Sequence, residues 1–476
     1  MNKKKIIGWI VSIVLTLFCW CVPTTFFGIE GLTVVEQRVI ALFVLAACMW
    51  ISEPIPIWTT SVLVMVLMLV TTSDSMVAFL RPNGVMPDNA ISYKAIMAAF
   101  ADPTIMLFMG GFVLAIAATK YKFDAALAKV MMKPFGNKPH MVMLGFIIIT
   151  ALFSMFMSNT ATAAMMLAIL TPVLANLKES RGRIGLALSI PIAANVGGMG
   201  TPIGTPPNAT AVKFLGESLN ASVQFGNWMM IMVPLVIVIL FFAWILLQKM
   251  FPFGKGETVN VEIEGEFDQS PKAWVVYVTF IVTILLWVTG KWTGINSFSV
   301  ALIPFAVFTI CGVFDKNDLK KVDWDVLWLV AGGFALGVGL DKTGLAAHMV
   351  NSIPFSSWPV MLVLIGSGLI AIVMSTFMSN SATAALLIPI LAAVGTGMTE
   401  QLAPFGGATT LLVSIALSCS LAMALPISTP PNALAYGKGF IQQKDMAIVG
   451  ILVGVVGMVL MYLWLIFASK LGLSVC

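Results

Sequence analysis

Charged residues punctuate this chain rather than pattern it. Between them run charge-free, largely apolar stretches at 6–29, 39–52, 54–73, 103–119, 139–177, 184–212, 218–248, 273–290, 292–314, 326–340, 343–399, 401–437 and 446–469. Most suit one helix of roughly 20 residues crossing an apolar core of about 30 Å, so each predicts a membrane span. The opening Met1-Asn2-Lys3-Lys4-Lys5 has the charge layout of a signal peptide but no small-residue cleavage site follows, and 6–29 reads as the first span.

Orientation follows from the basic residues, because cytoplasmic loops retain Lys and Arg. With the N-terminus cytoplasmic and the spans alternating, Lys3, Lys4, Lys5, Lys120, Lys122, Lys129, Lys133, Lys138, Lys178, Arg181, Arg183, Lys249, Lys255, Lys272, Lys316, Lys320, Lys321, Lys438 and Lys444 fall inside, 19 of the 26. Arg38, Arg81, Lys94, Lys213, Lys291, Lys342 and Lys470 fall outside or near the far end of a span. The alternation works only if 139–177 begins and ends on the cytoplasmic side, flanked by Lys138 and Lys178, as two tight spans or one re-entrant hairpin. The segment 357–395 must likewise begin and end outside, between Lys342 and Glu400. The expected fold is an all-α polytopic membrane protein with about eleven transmembrane helices, two re-entrant hairpins and an extracytoplasmic C-terminus.

Composition agrees with that pattern. The chain is 59% hydrophobic and only 10% charged, with a mean hydropathy of +1.00; a soluble protein would be about a quarter charged, which excludes an ordinary soluble enzyme. The net charge of +5 lies between spans, so it is a topology signal and no nucleic-acid partner is expected. The six cysteines have no metal-ligand spacing.

Three anchors recur in the same order. Gly110-Gly111-Phe112-Val113-Leu114 is echoed by Gly332-Gly333-Phe334-Ala335-Leu336, 222 residues later. The run from Ser154 to Ala164 returns from Ser375 to Ala385 at 221, sharing Ser-Asn-(Thr/Ser)-Ala-Thr-Ala-Ala. Pro202-Ile203-Gly204-Thr205-Pro206-Pro207-Asn208-Ala209 returns as Pro426-Ile427-Ser428-Thr429-Pro430-Pro431-Asn432-Ala433 at 224. The first hairpin opens inside and the second outside, so the halves are expected to be an inverted repeat, the sequence pointer to a secondary transporter. The Gly-Gly pairs read as packing, and His140 and His348 as structural.

The repeated elements carry polar chemistry. Ser-Asn-Thr between apolar legs breaks a helix, and the leg that restarts points free N–H groups at whatever occupies the break. An Asn amide can coordinate a cation through its oxygen and donate to a carboxylate through its nitrogen. Paired prolines disfavour helix before them, so unwinding is expected near 204–208 and 428–432, with freed carbonyls that need a partner, a bound cation being one. Asp102-Pro103 reads as a helix start, and Glu53-Pro54-Ile55-Pro56 as a span-ending loop. No Asp, Glu or Arg lies centrally in these elements, so an anion there would face only dipoles and amides, and sodium bound first would complete its site. A proton-driven carrier would want a buried carboxylate or His instead. An intramembrane enzyme would need a nucleophile with a base or a metal cluster, and no repeat motif holds one.

The paired Ser158-Asn159-Thr160 and Ser379-Asn380-Ser381, with Thr-Pro-Pro-Asn at 205–208 and 429–432, resemble the divalent anion:sodium symporter family, including its bacterial INDY-type dicarboxylate transporters; the likeness covers essentially the whole chain. It implies a homodimer in the lipid of the plasma (inner) membrane, each protomer having a scaffold and a transport domain that moves as an elevator. It further implies uptake of succinate, malate or fumarate with sodium as coupling ion. The scaffold would comprise 1–102 and 223–323, the transport part 103–222 (hairpin 139–177) and 324–476 (hairpin 357–395). By the same resemblance, Ser154, Ser158, Asn159 and Gly204 form a first sodium site, and Ser375, Met378, Asn380 and Ser428 a second. Substrate would touch Ser158, Asn159, Thr160, Thr205, Pro206, Ser379, Asn380, Ser381, Thr429 and Pro430. Ser381 stands where dicarboxylate members typically have Thr, which leaves other anions open, including citrate and sulfate. A sodium-independent dicarboxylate exchanger of the same fold is the alternative.

Overall fold

The computed structural model describes residues 3–177, 181–254, 256–261, 266–352 and 354–476; Lys178 and Lys255, two of the basic residues assigned to the cytoplasmic side, lie outside them. The described residues are all-helical apart from loops and one isolated bridge between Ser73 and Ile91. Among them nine helices are long and apolar enough to span a membrane, or ten if Thr399–Phe405 and Gly407–Leu421, bent by 69°, form one span. The tally differs in kind from the expected eleven because length alone does not separate a span from a hairpin leg. Pro139–Phe156, Val360–Phe377 and Asn380–Gly397 are legs that meet the criterion, whereas Ile57–Thr71 and Ser297–Ile310 are apolar but shorter.

Local chemistry sets the boundaries. Asp102 caps Pro103–Lys120, its Oδ1 accepting from the Thr104 N–H at 2.8 Å with Pro103 at the first helical position. Val34–Ser52 ends at Glu53 in the left-handed region (φ 45°), and Pro56 leads into Ile57–Thr71.

Each repeat contains a hairpin of two 18-residue helices parted by two extended residues. Pro139–Phe156 and Asn159–Asn176 flank Met157–Ser158; Val360–Phe377 and Asn380–Gly397 flank Met378–Ser379. A broken helix follows each hairpin: Arg181–Gly198 then Pro206–Leu219, and Gly407–Leu421 then Pro430–Gly437. Unwinding was expected near 204–208 and 428–432, at Gly204 and Thr205 ahead of the first proline pair; both are unwound, within stretches that run over 199–205 and 422–429 and end before the prolines. The proline pairs occupy the first two positions of the restarting helices, where a missing N–H forfeits no intrahelical bond, so Asn208 and Asn432 are helical.

The halves interlock. Pro206–Leu219 packs on Asn380–Gly397 of the other half, and Pro430–Gly437 on Asn159–Asn176 and Arg181–Gly198. This exchange gathers both hairpin breaks and both unwound stretches in one place. Trp324–Lys342 lies along Ile57–Thr71 and also meets Asn380–Gly397.

The Gly-Gly pairs sit where helices touch. A Cβ on Gly110 would overlap the Ala301 carbonyl, whereas one on Gly111 would make an ordinary 3.5 Å contact with Ile203 Cδ1. Gly110→Ala should therefore cost about 1–3 kcal/mol, and Gly111→Ala should be neutral or stabilising by up to about 1 kcal/mol, read from thermal unfolding in detergent. Equal behaviour of the two would refute the packing role.

Candidate functional site

The hairpin breaks and unwound stretches surround one cavity of about 200 Å³. All ten residues expected to contact substrate line it: Ser158, Asn159, Thr160, Thr205, Pro206, Ser379, Asn380, Ser381, Thr429 and Pro430. Four helices begin there, at Asn159, Asn380, Pro206 and Pro430. The helices at Asn159 and Asn380 offer free backbone N–H groups, whereas those at Pro206 and Pro430 begin with two prolines and the N–H of their third residue is bonded, to the Thr205 carbonyl and to Thr429 Oγ1. Each end still carries about half a positive charge, so the cavity presents four positive dipole ends.

Some of the expected cation ligands meet in two matched oxygen clusters beside this cavity, Ser154, Asn159 and Gly204 in the first half and Ser375 and Asn380 in the second. Ser154, fully buried, donates to the Ala194 carbonyl at 2.7 Å. One end of the Asn159 amide lies 2.5 Å from Ser154 Oγ, 3.0 Å from the Gly204 carbonyl and 3.2 Å from the Ala194 carbonyl. With its nitrogen there, the amide closes the cluster by hydrogen bonds; with its oxygen there, four oxygens converge and require a cation between them. A Cβ on Gly198 would stand 2.6 Å from the Asn159 amide and 3.0 Å from the Gly204 carbonyl, so only glycine leaves room for the cluster. In the second half Ser375 Oγ donates to Asn380 Oδ1 at 2.7 Å and approaches the Cys419 carbonyl at 3.1 Å. Gly204, Asn380 and Ser428 line the cavity, while Ser154, Ser375 and Met378 are buried and do not appear on its wall. The Ser428 hydroxyl donates to the Thr376 carbonyl at 2.8 Å and accepts from the Leu425 N–H at 3.1 Å.

The freed carbonyls of the unwound stretches find partners inside the protein. Asn208 Nδ2 donates to the carbonyls of Thr201 (2.8 Å), Gly198 (3.1 Å) and Met199 (3.4 Å). Asn432 Nδ2 donates to those of Met423 (2.8 Å) and Leu425 (3.0 Å). The asparagine that ends each Thr-Pro-Pro-Asn therefore folds back over the break it follows.

Lys213 offers the cavity no free charge. It is 3% exposed, donates to Asp102 Oδ2 at 2.6 Å, pairs with Glu217 at 3.1 Å and lies 4.2 Å from the centroid of the Phe334 ring.

Three polar residues on the cavity wall were missed. Asn195, buried, donates to Thr429 Oγ1 at 3.1 Å and Asn432 Oδ1 at 3.2 Å, tying one broken helix to the other, and its own Oδ1 has no partner. Asp323 and Asp325, at the start of Trp324–Lys342, face the same space. The expectation that an anion here would meet only dipoles and amides is thus corrected: two carboxylates arrive by tertiary packing from outside the repeated motifs. Burial, and then the neighbouring charge of Asp325, raise the Asp323 carboxyl above the usual carboxylate range. Asn195 lies within a charge-free run and the aspartates beside a loop, so nothing in the linear pattern marks them.

Comparison with known proteins agrees with this architecture. Residues 47–410 match the family model described as Citrate transporter. The sodium-dependent high-affinity dicarboxylate transporter 3 of Caenorhabditis elegans is 29% identical over 90% of this chain and 81% of its own length. The sodium-dependent dicarboxylate transporter SdcS of Staphylococcus saprophyticus is 27% identical over 98% of this chain and 92% of its own. Among solved structures, the YdaH transporter of Alcanivorax borkumensis shares the fold with a TM-score of 0.57 at 11% identity, covering 80% of this chain and 89% of that one.

If Asn208 and Asn432 sustain the breaks, Asn208→Ala and Asn432→Ala should each lose about 1–3 kcal/mol, the cost of stranding buried carbonyls, and lower the unfolding midpoint in detergent. Unchanged midpoints in both variants would show that other groups satisfy those carbonyls.

Proposed function

This chain belongs to the citrate transporter family, of the divalent anion:sodium symporter type, and on that premise we propose that it takes up C4-dicarboxylates such as succinate, malate or fumarate with sodium. It is a multi-pass membrane transporter and not an enzyme. The observation that carries the substrate reading is the convergence of four helix N-termini and the two Ser-Asn-(Thr/Ser) breaks on one cavity. Such a site binds carboxylates through N–H groups, hydroxyls and amides, with no fixed cation of its own.

Sodium supplies the missing positive charge. We place one ion among Ser154, Ser158, Asn159 and Gly204 and another among Ser375, Met378, Asn380 and Ser428. Binding of the first selects the Asn159 orientation with its oxygen toward the Ser154, Ala194 and Gly204 oxygens, which turns the amide N–H₂ toward the cavity and its anion. Sodium first, anion second is the order that follows, because the ion both compensates charge and orients the donor. This coupling rests on the oxygen clusters and the relatives, not on a lack of carboxylates, since Asp323 and Asp325 stand on the wall.

The matched hairpins and broken helices, opening on opposite sides by the distribution of basic residues, support an inverted repeat. They fit alternating access in which a hairpin-bearing transport domain moves against a scaffold, in a homodimer with cytoplasmic N-termini and extracytoplasmic C-termini.

Purified protein in liposomes should accumulate labelled succinate when an inward sodium gradient is imposed on vesicles empty of counter-anion. Uptake that needs internal dicarboxylate and ignores sodium would make the protein an exchanger. Ser154→Ala and Ser375→Ala should each raise the half-saturating sodium concentration roughly tenfold, the loss of about 1.4 kcal/mol of binding. Thr160→Ala should weaken succinate binding while leaving sodium affinity near normal; an equal loss of both would place Thr160 at the cation.

A further inference from the structure

The carboxylates on the cavity wall have a counterpart in the other half. At the 222-residue displacement of the Gly-Gly motif, Asp102 corresponds to position 324, the residue between Asp323 and Asp325. At the neighbouring displacement of 224, Lys213 corresponds to Gly437, one residue before Lys438. In the first half the aspartate is neutralised, Asp102 meeting Lys213 at 2.6 Å. In the second half Lys438 is exposed, and among the described residues neither Asp323 nor Asp325 makes an ion pair. The nearby basic residues are committed elsewhere. Lys120 binds Asp318 at 2.5 Å and Asp315 at 3.3 Å, and Lys321 binds Asp318 at 3.1 Å. The same wall carries the unpartnered, buried Oδ1 of Asn195. One side of the cavity is therefore acceptor-rich and negative, and faces the donors of the hairpin breaks.

We propose that Asp323 and Asp325 set the charge of the anion this transporter accepts, admitting dianions and rejecting trianions. The proposal rests on the dicarboxylate reading above and goes further by assigning the discrimination to two residues. A space of about 200 Å³ is on the order of 7 Å across, within a Debye length of any anion it holds, so salt does not screen the wall. Repulsion from a fixed negative wall grows in proportion to the charge of the ligand, so a third carboxylate adds half as much repulsion as the first two together. The hairpin donors and helix ends attract each carboxylate of the anion in the same proportion, so Asp323 and Asp325 decide how much of that attraction remains for a third one. Attraction to bound sodium also grows with ligand charge, so the two carboxylates act by lowering the net positive potential that sodium and the donors present to each added carboxylate. The family model speaks of citrate and the relatives of dicarboxylates; this wall places the present chain with the dicarboxylates.

The test is competition by unlabelled citrate and unlabelled succinate against labelled succinate uptake in proteoliposomes. Sodium is held constant, at a pH high enough that succinate is a dianion and citrate a trianion. Wild type should favour succinate, and Asp323→Asn/Asp325→Asn should shift the ratio of inhibitory concentrations toward citrate by roughly tenfold. Asp325→Asn alone, at an exposed side chain, should shift it several-fold and guards against misfolding of the double variant. A wild type that accepts citrate as readily as succinate, or variants that take up succinate with an unchanged ratio, would overturn the proposal. A wild type that moves no dicarboxylate under any sodium gradient would instead overturn the functional reading on which it rests.

Discussion

A helix can be broken inside a bilayer only if the backbone groups it frees are satisfied by the protein, because lipid offers none. In this chain that condition falls on a few asparagines. Asn208 closes the break at 199–205 and Asn432 the break at 422–429, each through one amide nitrogen spread over two or three carbonyls. With those carbonyls satisfied, the restarting helices begin at Pro206 and Pro430 and aim their N-termini at the cavity. Without the breaks there would be no converging dipoles and no space between the halves.

The same economy governs the hairpins. A two-residue extended link, Met157–Ser158 or Met378–Ser379, ends one leg and starts the next, and the asparagine opening the second leg meets a serine five residues earlier, on the leg before. The Ser154–Asn159 and Ser375–Asn380 pairs are the same device built twice. In each, an amide stands between a buried oxygen cluster and the open cavity, so on the proposed reading one side chain would address cation and anion together. Coupling of the two ligands in that reading would need no long-range path, since a single amide has two ends of opposite hydrogen-bonding character.

The basic residues near the cavity are tied to carboxylates and leave its wall to helix dipoles and to Asp323 and Asp325. Lys213, the basic residue nearest the first Pro-Pro element in sequence, is tied to Asp102 and Glu217. Beside Asp323 and Ser158, Lys120 and Lys321 converge on Asp318; burial pushes that carboxyl up, but the two lysines and the Asp315 backbone hold it below the usual range. Asp323 is treated differently: burial and Asp325 push its carboxyl up, with no basic partner to hold it down. A removable cation can reverse such a balance, whereas a permanent lysine at the wall could not be withdrawn when the anion must leave.

The sequence by itself determined the class, the order of the elements and the identity of the motif residues. Apolar run length, the placement of Lys and Arg, and a duplicated Ser-Asn and Pro-Pro signature are local properties, and a helix terminus or a break is decided by the few residues that cap or interrupt it. That is why Asp102, Glu53, Ser158 and Ser379 stand where their neighbours predict. Even there, the unwound stretches lie before the prolines and not around them, because the cost of a proline depends on its position in the helix. Only the tertiary structure decided what shares the cavity. Asn195 and the pair Asp323 and Asp325 reach it through the crossing of the two halves and the packing of Trp324–Lys342 on its neighbours. Contacts between residues far apart in the chain depend on how whole helices pack, and no short-range pattern in the sequence records that.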